Sequence, residues 1–385
     1  MMLTLNSKKS APLAALMTFS LAYSPSALAW GERGHDGITR VATRILADNK
    51  DPEIQKFGAF LQKKENMLGH LANVPDIVWR QLSPELDKAS TPSHFIDLDY
   101  ILVPSKTPTA EDLPATMDAY LKALDKNCGK KAKDWACAPG KDIGDKLLKA
   151  GHAPYRVETL TQDLVQAFKD LKAMDKIQKD SPDFEKKNAA VDRVLLLSGI
   201  LSHFVGDLAN PHHTSKDYDG WETGQGGLHG YFETEIVDSL GLDLEANVLD
   251  EAERHEPMAR PFAKHPHNYL QQAFELTLDS RDKLPILAAL DLQNSLLAKS
   301  SEEKDEGDKS GKVKREKAKR REPSEVNKVY KNFVIIRLAT GADALARFWL
   351  DAWQEGGKPD LSFYRSYHYD VKPDFVPMQY LPQGK

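Results

Sequence analysis

Residues 191–207 most restrict how this chain can fold. The stretch is almost wholly apolar, yet Leu201-Ser202-His203-Phe204-Val205-Gly206-Asp207 carries an imidazole and a carboxylate. Four residues apart on a helix, His203 and Asp207 project from one face. An apolar helix that buries both groups must give each a strong partner. The helices of this chain are therefore expected to pack around a polar centre.

The rest of the sequence reads as helical too. Ile38, Val41, Ala42, Ile45 and Leu46 follow helical spacing, as do Val157, Leu160, Leu164, Val165 and Phe168, and residues 329–353 form a second long apolar helix. Alternating strand patterns are nearly absent, so the expected class is all-α, one multi-helix domain over residues 30–385. Residues 176–187 read as an exposed connection. Residues 300–323 run from an acidic to a basic block with almost nothing apolar to bury, so a solvated, disordered insertion is expected there, its functional alternative being a tether for nucleic acid or anionic lipid.

The chain opens with Lys8 and Lys9, an apolar run from Ala11, and Ala27-Leu28-Ala29, the small-x-small pattern of a signal-peptidase site. That run is too short to span a membrane, and no later stretch reaches about 18 uninterrupted apolar residues. Residues 1–29 are read as a signal peptide, and the mature protein as secreted or periplasmic, monomeric and without a stable membrane anchor. Cleavage after Ala29 makes Trp30 the first residue, whose free amine and carbonyl oxygen can chelate a metal, with His35 near enough to add a ligand. In an oxidising compartment Cys128 and Cys137, the two cysteines of the chain, are expected to form a local disulfide. The formal net charge of −5 does not suit a protein relying on bulk charge to hold a polyanion, but bound cations would reverse the local sign.

Two further pieces carry chemistry. Pro211-His212-His213 ends the apolar helix, and His229-Gly230-Tyr231-Phe232-Glu233 repeats the imidazole–carboxylate spacing. Neutral imidazole and carboxylate oxygen are the usual zinc ligands outside thiolate sites. Of the adjacent pair, His213 is taken as the ligand, with His212 beside it.

Together with Trp30-Gly31-Glu32-Arg33-Gly34-His35, Pro75-Asp76 and Ser93-His94-Phe95-Ile96-Asp97, these pieces resemble the trinuclear zinc phosphodiesterase superfamily, which holds single-strand nucleases of the S-one and P-one type and bacterial zinc phospholipases C. The resemblance implies that fold and three zinc ions. Asp76, His94, His203 and Asp207 would hold one, and Trp30, His35 and the second oxygen of Asp207 a neighbour bridged to it. His213, His229 and Glu233 would hold the third. Such zinc ions would supply a water acidic enough to attack phosphorus near neutral pH, and Asp76 would be the catalytic carboxylate that orients it or takes its proton.

The spacing from Trp30 to His35 resembles the nuclease pattern, in which Phe95 would stack on a base, Asp97 accept a hydrogen bond from its edge and Arg80 clamp phosphate. Nucleic acid is the expected substrate. Glu233 departs from the Asp usual in nucleases, and Trp79 stands ahead of a displaced Arg80. The alternative is a phospholipase C acting on phosphatidylcholine-type lipids, with Trp79, Tyr231 and Phe232 as an aromatic wall for choline. A non-catalytic zinc-storage module is the reading from outside enzymology.

Overall fold

The computed structural model describes residues 30–102, 107–128, 142–254, 267–304, 313–365 and 375–381. Residues 1–29 and Cys137 lie outside the described residues, and the expectations of cleavage and of a disulfide with them.

The architecture is all-α. Its main helices are α1 (Glu32–Ala47), α2 (Pro52–Gln62), α3 (Glu65–Val74), α4 (Ala153–Ala173), α5 (Phe184–Ala209), α6 (Leu244–Arg254), α7 (Tyr269–Leu290) and α8 (Pro323–Glu355). By length and composition α5 is apolar enough to cross a membrane, but it is the central helix, packed against α1, α3, α4, α7 and α8. Every residue from Leu197 to Ala209 is buried, which accounts for apolar side chains around its whole circumference.

Proline and side-chain capping end α5 where the chemistry begins. Pro211 cannot continue the helix, and Asn210 takes extended backbone with its side chain accepting from the His212 amide. The last carbonyls would be orphaned in the interior. Ser280 donates to Leu208 O at 2.5 Å and the buried Arg337 of α8 donates to Ala209 O at 3.0 Å. The following turn therefore leaves α5 in a fixed direction and presents His213.

A second apolar cluster supports the 91–102 segment. Ile96, Leu98 and Tyr100 pack with Tyr120, Tyr155 and Phe274, and the Tyr120 hydroxyl donates to Gly151 O at 2.8 Å. Ile96 N in turn donates to His213 O at 2.9 Å, so this segment runs alongside the turn after α5.

One sequence expectation needs correction, and the exposed connection expected at 176–187 holds with one exception. The 300–323 stretch is not disordered where it is described: Leu296–Ala298 (β1) pairs with Lys319–Arg320 (β4), and Ser301–Lys304 (β2) with Val313–Glu316 (β3), while residues 305–312 lie outside the described residues. Opposite charges replace a missing apolar face, as in the Arg315–Glu302 pair at 2.7 Å across β2 and β3. Within 176–187, Lys187 is buried, its ammonium 4.3 Å from the centre of the Phe363 ring and donating to Asp175 O and Ile177 O. Its long stem lets a charged residue lie under the chain.

Candidate metal centre

Four elements converge on Asp207. The α1 start brings His35, whose Nε2 lies 3.6 Å from Asp207 Oδ1. Such an approach requires glycine at position 206, where a Cβ would sit 2.8 Å from His35 Nδ1. On the other oxygen, Oδ2, His94 Nδ1 stands at 3.1 Å and His203 Nε2 at 3.3 Å. Asp76 completes the group, with Oδ1 3.8 Å from His94 Nδ1. A separate group follows, in which His229 Nε2 lies 2.6 Å and His213 Nε2 3.8 Å from Glu233 Oε2.

Among the described residues, three buried sets bring ligand atoms within 4.8 Å of one another: His35, His203 and Asp207; Asp76, His94 and His203; His213, His229 and Glu233. The first two share His203. His212 lies beside the third set, its ring 5.3 Å from that of His229.

The hydrogen bonds at the back of the rings fix which nitrogens are free to ligate. His203 Nδ1 donates to Ala72 O at 2.7 Å and His213 Nδ1 to His94 O at 2.6 Å, so in each neutral ring Nε2 carries the lone pair. Those lone pairs face other ring nitrogens: His203 Nε2 is 2.9 Å from His94 Nδ1, and His213 Nε2 is 3.1 Å from His229 Nε2. Asp207 Oδ1 and Glu233 Oε1 are buried and accept no hydrogen bond. Imidazole nitrogens and carboxylate oxygens gathered this closely fit a shared cation.

The charges agree with this. Burial drives the His94, His203 and His213 imidazoles below their usual range and His229 down to about 4, all toward the neutral ligating form. Burial, with Asp76 and Glu233 nearby, pushes Asp207 well up, and burial pushes Glu233 up to about 8. For the metal-free fold the signs oppose. Glu233, raised from 4.5, contributes stability below about pH 4.5 that is lost as pH rises through about 8; His229, lowered from 6.5, contributes stability above about pH 6.5 that is lost as pH falls through about 4. At pH 7 Glu233 holds a proton that a cation must displace. Metal uptake at pH 7 is expected to release at least one proton per chain, seen as a calorimetric enthalpy that varies with the ionisation enthalpy of the buffer. A buffer-independent enthalpy would contradict it.

Trp30 is fully buried, its indole donating to Gly206 O at 2.8 Å, while Gly31 N donates to Glu233 O at 3.1 Å. Trp30 and Gly31 thus lie between the residue before Asp207 and the Glu233 turn. Arg33 reinforces it by donating to Val237 O at 2.8 Å and Leu240 O at 2.7 Å. Two π turns shape the ligands. Pro75–Trp79 carries Asp76 and Tyr231–Ile236 carries Glu233. Four residues after Asp76, Arg80 reaches back to it, Nη2 to Oδ1 at 2.9 Å.

Phe95 is half-buried beside His94. Asp97 is buried with Oδ1 accepting no hydrogen bond, and burial, with Asp99 nearby, raises its carboxyl well above the usual range. The aromatic wall drawn for choline is corrected: Trp79 and Phe232 have no exposed surface, and Tyr231 is buried with its hydroxyl on Arg321 O at 2.8 Å. Trp79 packs on Phe204 and Phe375, and Phe232 on Trp30, Tyr330 and Phe333.

Sequence reasoning missed Ser90, whose hydroxyl lies 3.4 Å from His94 Nε2. Its position four residues before His94 was the available signal. A cavity of about 760 Å³, lined by Lys56, Phe60, Lys63, Trp353 and Tyr364 among others, carries none of the clustered ligands.

No protein-family model matches the chain. It is similar to a probable serine protease of Bradyrhizobium tropiciagri, 25% identical over 269 residues that cover 56% of this chain and 32% of that protein. The chain spans about a third of that relative's length.

Proposed function

We propose that this chain is a secreted zinc phosphodiesterase, with nucleic acid as its substrate. The observation that carries the reading is the sharing of Asp207 by His35 on one oxygen and by His94 and His203 on the other, with the His213–His229–Glu233 set alongside. Asp76, His94, His203 and Asp207 would hold one zinc ion, Trp30, His35 and Asp207 a second, and His213, His229 and Glu233 a third. Histidine and carboxylate without thiolate is a zinc-type donor set. Bound zinc supplies Lewis acidity toward a phosphate oxygen and a water acidic enough to attack at neutral pH.

The chain's own groups do the remainder. Arg80 holds Asp76 in place through Oδ1, leaving the carboxylate to orient the attacking water or take its proton. Arg80 also brings a cation beside a pocket of three carboxylates, where a phosphate diester needs one. Phe95 offers a half-exposed ring for a base, and Asp97 Oδ1, which accepts no hydrogen bond, could accept one from a base edge.

One arrangement favours a second reading. Ser90 Oγ, His94 Nε2, His94 Nδ1 and Asp207 Oδ2 line up at 3.4 and 3.1 Å, the order of a serine-hydrolase triad, and the relative above is named a probable serine protease. Ser90 has no exposed surface, however, and its role is better read as holding the His94 ring from behind. Under the zinc reading Ser90→Ala retains zinc and slows turnover by about tenfold. Complete loss of turnover with full zinc content would favour the triad.

The substrate is tested by incubating the zinc-loaded mature protein with single-stranded nucleic acid and with phosphatidylcholine. Cleavage of the nucleic acid is expected; cleavage of the lipid alone would overturn the nuclease reading in favour of phospholipase C.

A further inference from the structure

Resting on the phosphodiesterase reading, we propose that the 296–320 hairpin is a substrate-positioning arm. Through Lys299 and Lys317 it binds backbone phosphates of single-stranded nucleic acid beside the His213–His229–Glu233 set, with Tyr218 as a stacking surface.

The hairpin is fixed to the loop that leads into His229. Ser300 N donates to Gly224 O and Ala318 N to Gly226 O, both at 2.9 Å. Arg320 donates to Gln225 O at 2.5 Å and to both oxygens of Asp291 at 2.8 and 3.1 Å. From the same loop, Asp219 accepts from His229 N at 3.1 Å and from Trp221 Nε1 at 2.8 Å. The strands and the candidate ligand therefore share one rigid support.

Both arginines of the strands are engaged: Arg315 pairs with Glu302 and lies 5.0 Å over the Trp221 ring, and Arg320 is held by Asp291 and Gln225 O. Lys314, Lys319, Lys299 and Lys317 are exposed, and the last two lie against the loop that leads into His229. Their stems lie along the loop glycines, where a Cβ at Gly227 would come within 3.0 Å of Lys317 and one at Gly224 within 3.1 Å of Lys299. Positive φ of 76° at Gly224 and 89° at Gly227 makes those positions glycine-specific, and the bare backbone is what lets the Lys317 stem close in at Gly227, just ahead of His229, and the Lys299 stem at Gly224, farther back in the same loop.

Tyr218 adds the aromatic element. It is 47% exposed, and its ring meets that of His229 edge-on at 5.6 Å. Cations tracking a backbone beside an exposed ring form the combination that holds single strands without reading sequence. A lone lipid headgroup carries one phosphate and leaves two separated lysines unexplained.

The test is the binding of a fluorescently labelled single-stranded 12-mer to the mature protein, followed by anisotropy across a salt series. The double variant Lys299→Ala/Lys317→Ala is expected to bind about tenfold more weakly at 0.1 M salt, with the slope of log affinity against log salt shallower by about 1.4, two phosphate contacts on a single strand. Lys122→Ala/Lys126→Ala, on a helix away from the hairpin, controls for net charge and should leave both unchanged, and Tyr218→Ala should weaken binding without changing the slope. An unchanged slope in the hairpin variant overturns the proposal. So does equal weakening by the control pair, or retention on phosphatidylserine vesicles that depends on these lysines while oligonucleotide binding does not. Because the readout is binding, it stands or falls apart from phosphodiesterase turnover, which an aryl phosphodiester reports separately.

Discussion

Asp207→Asn is expected to leave one zinc ion per chain out of three and to lower phosphodiester turnover by about 1000-fold or more, the several kcal/mol a metal pair supplies. The carboxylate faces His35 through one oxygen and His94 and His203 through the other, so two sets of ligands depend on it. An amide keeps one oxygen and no charge, and its NH2 would point at imidazole lone pairs already aimed inward. Glu233, held by the Asn210 side chain at 3.0 Å, is not part of that pair and should keep its ion with His213 and His229. Elemental analysis gives the count, and three zinc ions retained by the variant would show that Asp207 is not the bridge.

The second large effect is expected at the chain start. A mature protein carrying two extra residues ahead of Trp30 replaces a free amine with an amide nitrogen that has no lone pair to give. One zinc ion should be lost and turnover should fall by about 100-fold. The fold should persist, because the Trp30 indole still donates to Gly206 O and Gly31 N to Glu233 O. Unchanged zinc content and turnover in the extended protein would remove Trp30 from the site.

How legible this was in the sequence depended on whether a residue's neighbours were near it along the chain. His203 with Asp207, and His229 with Glu233, announced themselves because a helix repeats every turn, and the long apolar helices followed from the same period. Asp76 and His94 had no local signal; they entered through resemblance, and only the packing of α3 and of the 91–102 segment against α5 brings them to Asp207. Arg80 looked displaced only against the nuclease pattern, yet four residues after Asp76 it lies on the same face and reaches its carboxylate at 2.9 Å. The 296–320 hairpin was misjudged for a related reason. Composition reports how little a segment can bury, but not that Asp291, Glu302 and the backbone of the 224–226 loop wait to pair with it. Trp79 and Phe232 erred the other way, since an aromatic beside a ligand reads alike whether it lines a cleft or fills the core.

The central claim, that three buried ligand sets hold zinc for phosphodiester hydrolysis, is most directly tested on one sample. The mature protein is stripped with chelator, reloaded with zinc in steps, and assayed for bound metal and for turnover of an aryl phosphodiester after each step. The account predicts saturation at three zinc ions per chain, no turnover in the stripped protein, and recovery as the Asp207-bridged pair fills. Zinc bound in stoichiometric amount with no turnover at any step would contradict it and make the chain a metal-holding module; turnover that survives complete removal of metal would contradict it equally.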